Sequence, residues 1–391
     1  RCNIRRAMDF EHLQWLLWGL PLAFAFGWLA SRVDMRQWKR EQKDSPKVYY
    51  KGLNLLLNEQ QDKAIDAFIE AVQQDPDTSD LHFALGNLFR RRGEYERAVR
   101  VHEHLLHRAD LSKGERDRAQ YALAQDFMKA GLLDRAEAAY RALDGTAFAT
   151  EARLALLSLL ERSRDWRAAI EVAQQLEQTG TASFATRISH YWCEVVLEAD
   201  AARDPAAAED ALQHARDSAP QAARPRILAG QRAAQRGALG DALRTWSALT
   251  ASQPTAFNLI AREYAAAALA GGERASALDA LEAIYRRTPT LDVLDAIGLL
   301  EPDAPARHAR LLEHLRAHPT LAAARAVLDE GPSKAVDAPE AAALRNAIER
   351  AARPLHRYRC AACGFEAEHY FWQCPGCLGW DTYPPQRLED L

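Results

Sequence analysis

Two hydrophobic patterns divide the chain. Residues 13–31, LQWLLWGLPLAFAFGWLAS, run for nineteen positions without a charged side chain. At about 1.5 Å per helical residue such a run is just long enough for a ~30 Å hydrocarbon core. It predicts a transmembrane helix with Trp15, Trp18 and Trp28 as interfacial anchors. A soluble helix of this length would normally keep a polar stripe. Arg32, Arg36, Lys39, Arg40, Lys43 and Lys47 follow the run, and no Lys or Arg precedes it if translation begins at Met8. That asymmetry predicts a single-pass protein with its main body on the cytoplasmic side. Residues 1–12 are then a short N-terminal segment and 32–46 a basic juxtamembrane linker. Arg1, Arg5 and Arg6 would give the start some signal-peptide character, but Ala23 to Ala25 fall inside the apolar run, a poor place for cleavage.

From residue 47 the pattern becomes periodic. Gly52 recurs as Gly86, Leu55 as Phe89, Ala64 as Ala98 and Phe68 as His102, each 34 residues on; Ala208 recurs as Ala242, Leu212 as Trp246 and Pro220 as Pro254. Within the first unit Tyr49, Gly52, Leu53 and Leu56 share one helix, a turn falls around Glu59 to Asp62, and Ala64, Phe68 and Ala71 form the stripe of a second. Small residues let the paired helices approach, and the large residue four positions after the Ala is expected to fill the gap to the next unit. Asp75-Pro76 and Gln253-Pro254 should end second helices. The pattern resembles the tetratricopeptide repeat, which implies an all-α solenoid stabilised by neighbour stacking. It predicts about eight hairpins over 47–319, then a terminal helical pair over 320–353.

Composition narrows the function. The 391 residues carry 50 Lys and Arg against 54 Asp and Glu, a net charge of -4 that does not suit a surface built to hold a phosphate backbone. Only 19 glycines is few for a nucleotide-binding α/β enzyme. No Gly-rich phosphate loop, HExxH or nucleophile elbow occurs, so the chain is expected not to be an enzyme. Four of the six cysteines, Cys360, Cys363, Cys374 and Cys377, form two CxxC pairs ten residues apart. This spacing builds a closed tetrahedral four-thiolate site, similar to a rubredoxin-type or zinc-ribbon knuckle pair over 354–391. One structural ion is expected, zinc or iron, since both accept four thiolates. Gly364, Gly376 and Gly379 are expected to permit the knuckle turns, and Tyr358, Phe365, Tyr370, Trp372 and Trp380 to supply the apolar body. The short 353–359 connection suggests that this module closes the end of the helical array.

Partner binding is expected on the inner helices of the early repeats. Asn87, Arg90 and Arg91 in GNLFRRRGEYERA, and Tyr121, Gln125 and Lys129 one unit later, could grip an extended peptide. A solvated basic face is the plainer reading of the arginines. His102 occupies the large-residue repeat position and is expected to pack rather than ligate, and Cys193 in WCEVVL reads as a small buried apolar residue.

The order of span, repeats and four-cysteine module resembles the lipopolysaccharide assembly protein B family of Gram-negative bacteria. The segments carrying it are YYKGLNLLLNEQQDKAIDAF, LGNLFRRRGEYERAVRVH, GLLDRAE and RYRCAACGF with CPGC. The resemblance implies an inner-membrane adaptor that brings the lipid A-committing UDP-3-O-acyl-N-acetylglucosamine deacetylase to the membrane AAA+ metalloprotease. It also implies an inner-membrane lipopolysaccharide-sensing partner and a link to the lipopolysaccharide assembly machinery; self-association is compatible with it. A tetratricopeptide scaffold for another client, or a nucleic-acid module using the terminal knuckles, are the alternative readings. The second has little basic support, because Arg353, Arg357 and Arg359 are answered by Glu366, Glu368 and Asp381.

Overall fold

The computed structural model describes residues 50–330 and 339–390, with Phe24 and Trp28, which are helical and exposed. The rest of the expected span 13–31, the N-terminal segment and the linker 32–46 lie outside the described residues. Among the described residues no helix is long and apolar enough to cross a membrane.

The chain divides into two compact units, Arg1–Leu159 and Leu160–Leu391. In the first, helical residues 50–57 pair with Gln61–Gln74, Ser79–Arg92 with Tyr95–His107, and Lys113–Ala130 with Leu133–Arg141. The division falls within the helix Ala149–Ser163. In the second unit Ala185–Ala201 pairs with Pro205–Ser218, Ala223–Gln235 with Leu239–Ser252, and Ala261–Gly271 with Arg274–Arg287, while Leu291–Leu300 packs on both helices of that last pair and Ala304–Ala317 packs on the helix that follows it. Leu321–Glu330 and Pro339–Ala352 follow. Turns of a few residues force each pair into a hairpin, and the helices expected to stop before Pro76 and Pro254 do so, at Gln74 and Ser252.

The repeat period has a steric origin. A Cβ on Gly52 would stand 2.7 Å from the Phe68 ring, one on Gly86 would stand 2.5 Å from the His102 imidazole, and one on Gly230 would collide with the Trp246 indole. The large residue therefore closes its own hairpin, where the glycine leaves a notch directly opposite it, and it also meets the next unit as expected: Phe68 shares a core with Leu81 and Leu85, and His102 reaches Asp126. In the third case the indole N–H also donates to the Ile227 carbonyl at 3.1 Å, so the notch satisfies a buried donor. Gly86→Ala is expected to cost roughly 1–3 kcal/mol through overpacking. Thermal unfolding followed by circular dichroism checks this, with Gly114→Ala as the control, since nothing lies within 4 Å of a Cβ there.

Helix ends are fixed locally. Gly93 (φ 85°) and Gly131 (φ 77°) end two inner helices in the left-handed conformation that glycine adopts without strain. Ser112 caps Lys113–Ala130 in a reciprocal capping box with Glu115. Leu111 to Gly114, four residues inserted into the 34-residue period, thus lead into the Lys113–Ala130 helix.

In the second unit a continuous core runs from Ala223 to Leu300 around Trp246, Phe257 and Tyr264. The C-terminal module follows Pro339–Ala352 as a two-stranded antiparallel ribbon, Tyr358–Arg359 against Glu366–Ala367, with a bridge between Gln373 and Trp380 and a 3₁₀ turn Leu388–Asp390. The module does not close the end of the array. It lies against helices from across the second unit, and its Trp372 packs on the core of the Ala223–Leu300 hairpins. So small a fold has too little interior of its own to bury its tryptophans, and they find an interior in the helices.

Candidate metal centre and the surface that seats it

All four sulfurs, of Cys360, Cys363, Cys374 and Cys377, lie within 4.8 Å of one another, and among the described residues no other group of His, Cys, Asp or Glu has this arrangement. Cys360 and Cys377 are 3.8 Å apart, Cys363 and Cys374 3.7 Å. Cys360 and Cys374 are buried; Cys363 and Cys377 face outward. One ligand of each CxxC pair is thus anchored in the module's interior, with Tyr358 and Tyr383 beside it.

The turns differ from expectation in one respect. Gly364 takes the left-handed conformation after the first pair (φ 77°), but after the second pair the left-handed residue is Leu378 (φ 60°). Gly376 and Gly379 serve close approach instead. A Cβ on Gly376 would come 3.2 Å from Phe365, and one on Gly379 2.8 Å from Thr382 and 3.3 Å from the Cys377 sulfur.

The electrostatics show what the donor set needs. At Cys360 burial opposes ionisation, but hydrogen bonds from the Thr382 hydroxyl and the Cys363 and Ala362 N–H groups outweigh it and pull the thiol down to about 6. At Cys363 the Phe365 N–H favours the thiolate, yet desolvation and the neighbouring thiols push it up to about 12. Four sulfurs this close cannot all hold charge unless a cation shares them. The Gly376 N–H points at the Cys374 sulfur from 3.4 Å, and the Tyr383 hydroxyl lies 3.9 Å from it. These residues fit a tetrahedral zinc or iron ion, which would supply structural cross-linking with no open position for water. His356 and His369 are not among the clustered ligands. Arg359 binds Glu366 at 2.6 Å and Arg357 lies 3.9 Å from the same carboxylate, so these two cations of the module are already answered.

The sequence did not reveal how the module is seated. Glu161, whose side chain is 4% exposed, accepts from the Trp380 indole at 3.0 Å, the Tyr191 hydroxyl at 2.5 Å and Arg187 at 2.6 Å. His190 Nε2 meets the Asp381 carboxylate at 2.8 Å, and its ring stacks on Trp380 with centroids 4.9 Å apart. Arg224, paired with Glu194 at 2.5 Å, lies over Trp372 and Trp380. Farther along, Asn258 donates to the Pro385 carbonyl, Arg387 approaches Asp292 at 3.8 Å, and Glu389 accepts from the Ala322 N–H. The only sequence signal was WCEVVL, read for its cysteine. Cys193 is indeed fully buried, and burial pushes its thiol up to about 12. The informative residues were His190 and Tyr191 immediately before that motif.

In the first unit the expected peptide-gripping residues divide. Arg91 and Lys129 are exposed, while Asn87, Tyr121 and Gln125 are half-buried. Arg90 is not free to grip a peptide. Its guanidinium bonds the Asp126 carboxylate at 2.9 Å, the Ala122 carbonyl at 3.1 Å and the Asn87 side chain at 2.5 Å. Asp126, fully buried, also meets His102 Nδ1 at 2.5 Å. An Arg at this position faces a carboxylate of the next inner helix, and a buried acid takes the nearest cation. Tyr121 stacks on Phe148 at 5.4 Å and meets Tyr140 edge-on.

Residues 358–384 match the family model described as the rubredoxin metal binding domain. Among solved structures the chain is similar to YrrB, a tetratricopeptide-repeat protein with an unusual peptide-binding site, at 16% identity and a TM-score of 0.31 over 44% of this chain and 86% of that one. At that score the likeness adds nothing to the hairpins described above. The chain is 31% identical over 95% of its length to lipopolysaccharide assembly protein B of Escherichia coli (strain K12), covering 97% of that protein. It is 27% identical to the Haemophilus influenzae protein of the same name, over 95% of this chain and 98% of that one. At 31% identity with near full-length coverage on both sides, the chain belongs to the lipopolysaccharide assembly protein B family.

Proposed function

We propose that this protein is a non-enzymatic adaptor in the regulation of lipopolysaccharide synthesis, whose helical hairpins hold other proteins while the four-thiolate module braces the second unit. The observation that carries the reading is the family membership, since relatives of one name align with this chain over nearly the whole length of both. In the finer form of the proposal, residues 13–31 hold the body at the cytoplasmic face of the inner membrane. There the early hairpins recruit the lipid A-committing deacetylase and deliver it to the membrane AAA+ metalloprotease for degradation. Confinement of adaptor and protease to one surface raises their effective concentration. A lipopolysaccharide-sensing membrane protein and the assembly machinery are the further partners in this proposal.

The structure changes which residues should test it. Replacing Arg90 would take from the buried Asp126 carboxylate one of its two partners, so a loss of binding could simply reflect unfolding. Arg91 and Lys129 are the exposed members of the expected surface. Arg91→Glu with Lys129→Glu is expected to leave helicity and metal content unchanged and to reduce deacetylase or protease recovery by about tenfold, because reversed charge adds repulsion to the lost contact. Crosslinking capture from intact membranes, with the deacetylase half-life followed in parallel, reads both. Undiminished recovery of both partners would place the binding surface elsewhere; recovery of neither by the parent protein would overturn the adaptor reading.

A further inference from the structure

The four metal ligands differ in what can reach them. Cys363 and Cys377 are open to solvent, while Cys360 and Cys374 are buried. Each outward sulfur has a buried one close by: Cys363 lies 3.7 Å from Cys374, and Cys377 lies 3.8 Å from Cys360. Both of these close pairs join the first CxxC turn to the second. Cys374 is further covered by the Gly376 N–H at 3.4 Å and the Tyr383 hydroxyl at 3.9 Å. Cys193, fully buried, is not part of the cluster. A metal-bound sulfur keeps thiolate character, and thiolate character together with exposure decides which cysteines an oxidant attacks. By that rule the outward sulfurs react first, and each has a resolving partner beside it.

We propose that Cys363 and Cys377 are oxidation sites, attacked by hydrogen peroxide and resolved by Cys374 and Cys360, so that the module releases its metal reversibly when oxidised. In the first step the outward thiolate sulfur attacks one peroxide oxygen; an S–O bond forms, the O–O bond breaks and hydroxide leaves. In the second the buried thiolate attacks the resulting sulfenic sulfur; an S–S bond forms, the S–O bond breaks and a second hydroxide leaves. Two thiolates thus give up two electrons to one peroxide and become one disulfide. The sulfurs that remain are too few for a closed structural site, which takes four ligands. The step is also tied to the seat of the module. Cys363 and Cys374 must close from 3.7 Å to an S–S length of about 2.05 Å, which shifts the second CxxC turn against the first. Trp380 and Asp381 follow that turn directly, and they are the residues that meet Glu161 and His190. Oxidation is therefore expected to loosen the module from the helices. This inference concerns the ligands themselves and stands whichever client the early hairpins hold.

The test uses the full chain, zinc-loaded and solubilised in detergent, treated with a few equivalents of hydrogen peroxide. A chromogenic chelator follows zinc release, peptide mapping identifies the disulfides, and tryptophan emission reports the seat. Zinc should leave as Cys363–Cys374 and Cys360–Cys377 disulfides form, emission should shift to the red, and a dithiol added with zinc should restore all three signals. Buried Cys193 should react at least about tenfold more slowly than the ligands. Cys363→His with Cys377→His keeps two cysteines and two histidines, an ordinary zinc donor set, but leaves only the buried sulfurs. That variant should hold zinc against peroxide about tenfold longer than the parent, because exposure governs attack; if it does not bind zinc, the disulfide map of the parent decides alone. Zinc retained by the treated parent, Cys193 oxidised as fast as the ligands, or zinc lost as fast from the histidine variant would overturn the oxidation sites. Disulfides formed within each CxxC pair would overturn the resolving partners, and unchanged emission after zinc release would overturn the tie to the seat.

Discussion

Replacing Cys374 and Cys377 with Ser is expected to release the metal and, with it, the contacts between the module and the helices of the second unit. Trp380 and Asp381 follow Cys377 by three and four residues, and the bridge between Gln373 and Trp380 spans the second CxxC pair. Their positions against Glu161 and His190 therefore depend on a turn that the metal holds shut. Apparent binding energies of roughly 10–16 kcal/mol are typical of structural four-ligand zinc sites, so a domain this small should not keep its fold without the ion. Undocking leaves the Glu161 carboxylate without one of its three donors and exposes Trp372 and Trp380. The expected outcome is loss of stoichiometric zinc or iron, a red shift of tryptophan emission and a lower unfolding temperature for the second unit, with client turnover reduced in cells. Unchanged emission in the metal-free protein would show that the helices seat the module by themselves.

Asp126→Ala should be among the most damaging single substitutions in the first unit. The carboxylate is fully buried and serves Arg90, whose side chain is 17% exposed, and His102, which is not exposed at all. Its removal strands a nearly buried guanidinium and a buried imidazole, at a cost of about 3–5 kcal/mol. The damage should be local to the first unit and visible as an early transition in chemical unfolding. Because the penalty comes from the orphaned cation, Asp126→Leu combined with Arg90→Met should cost much less than Asp126→Ala alone. Equal destabilisation by the single and the double variant would mean that the pair is not the source of the stability.

Much of this could be read in the linear pattern because it is local. The small residues at 52, 86 and 230 and the large ones at 68, 102 and 246 stand sixteen positions apart within one hairpin, and the period reports their contact. The four thiolates were legible for the same reason, since each CxxC pair closes one tight turn and ten residues join the two. Ring packing at His102 followed from its place in the repeat. Its bond to Asp126 did not, because nothing in the period marks which polar residue of a neighbouring hairpin will face it.

The sequence by itself determined the hairpin repeat, the four metal ligands and the family, all of which rest on contacts between residues near one another along the chain or on overall similarity. Tertiary structure alone decided that Arg90 is an internal strut and Arg91 an exposed residue, although they are adjacent, because successive helical residues point about 100° apart and only the neighbouring helix decides which of them is covered. It also decided that the module lies against the helices instead of capping the array. That placement depends on Trp380 reaching Glu161, 219 residues away, and Asp381 reaching His190, 191 away. At such separations no local pattern constrains the pairing; it is set by where two small apolar surfaces, each too small to be buried alone, can be buried together.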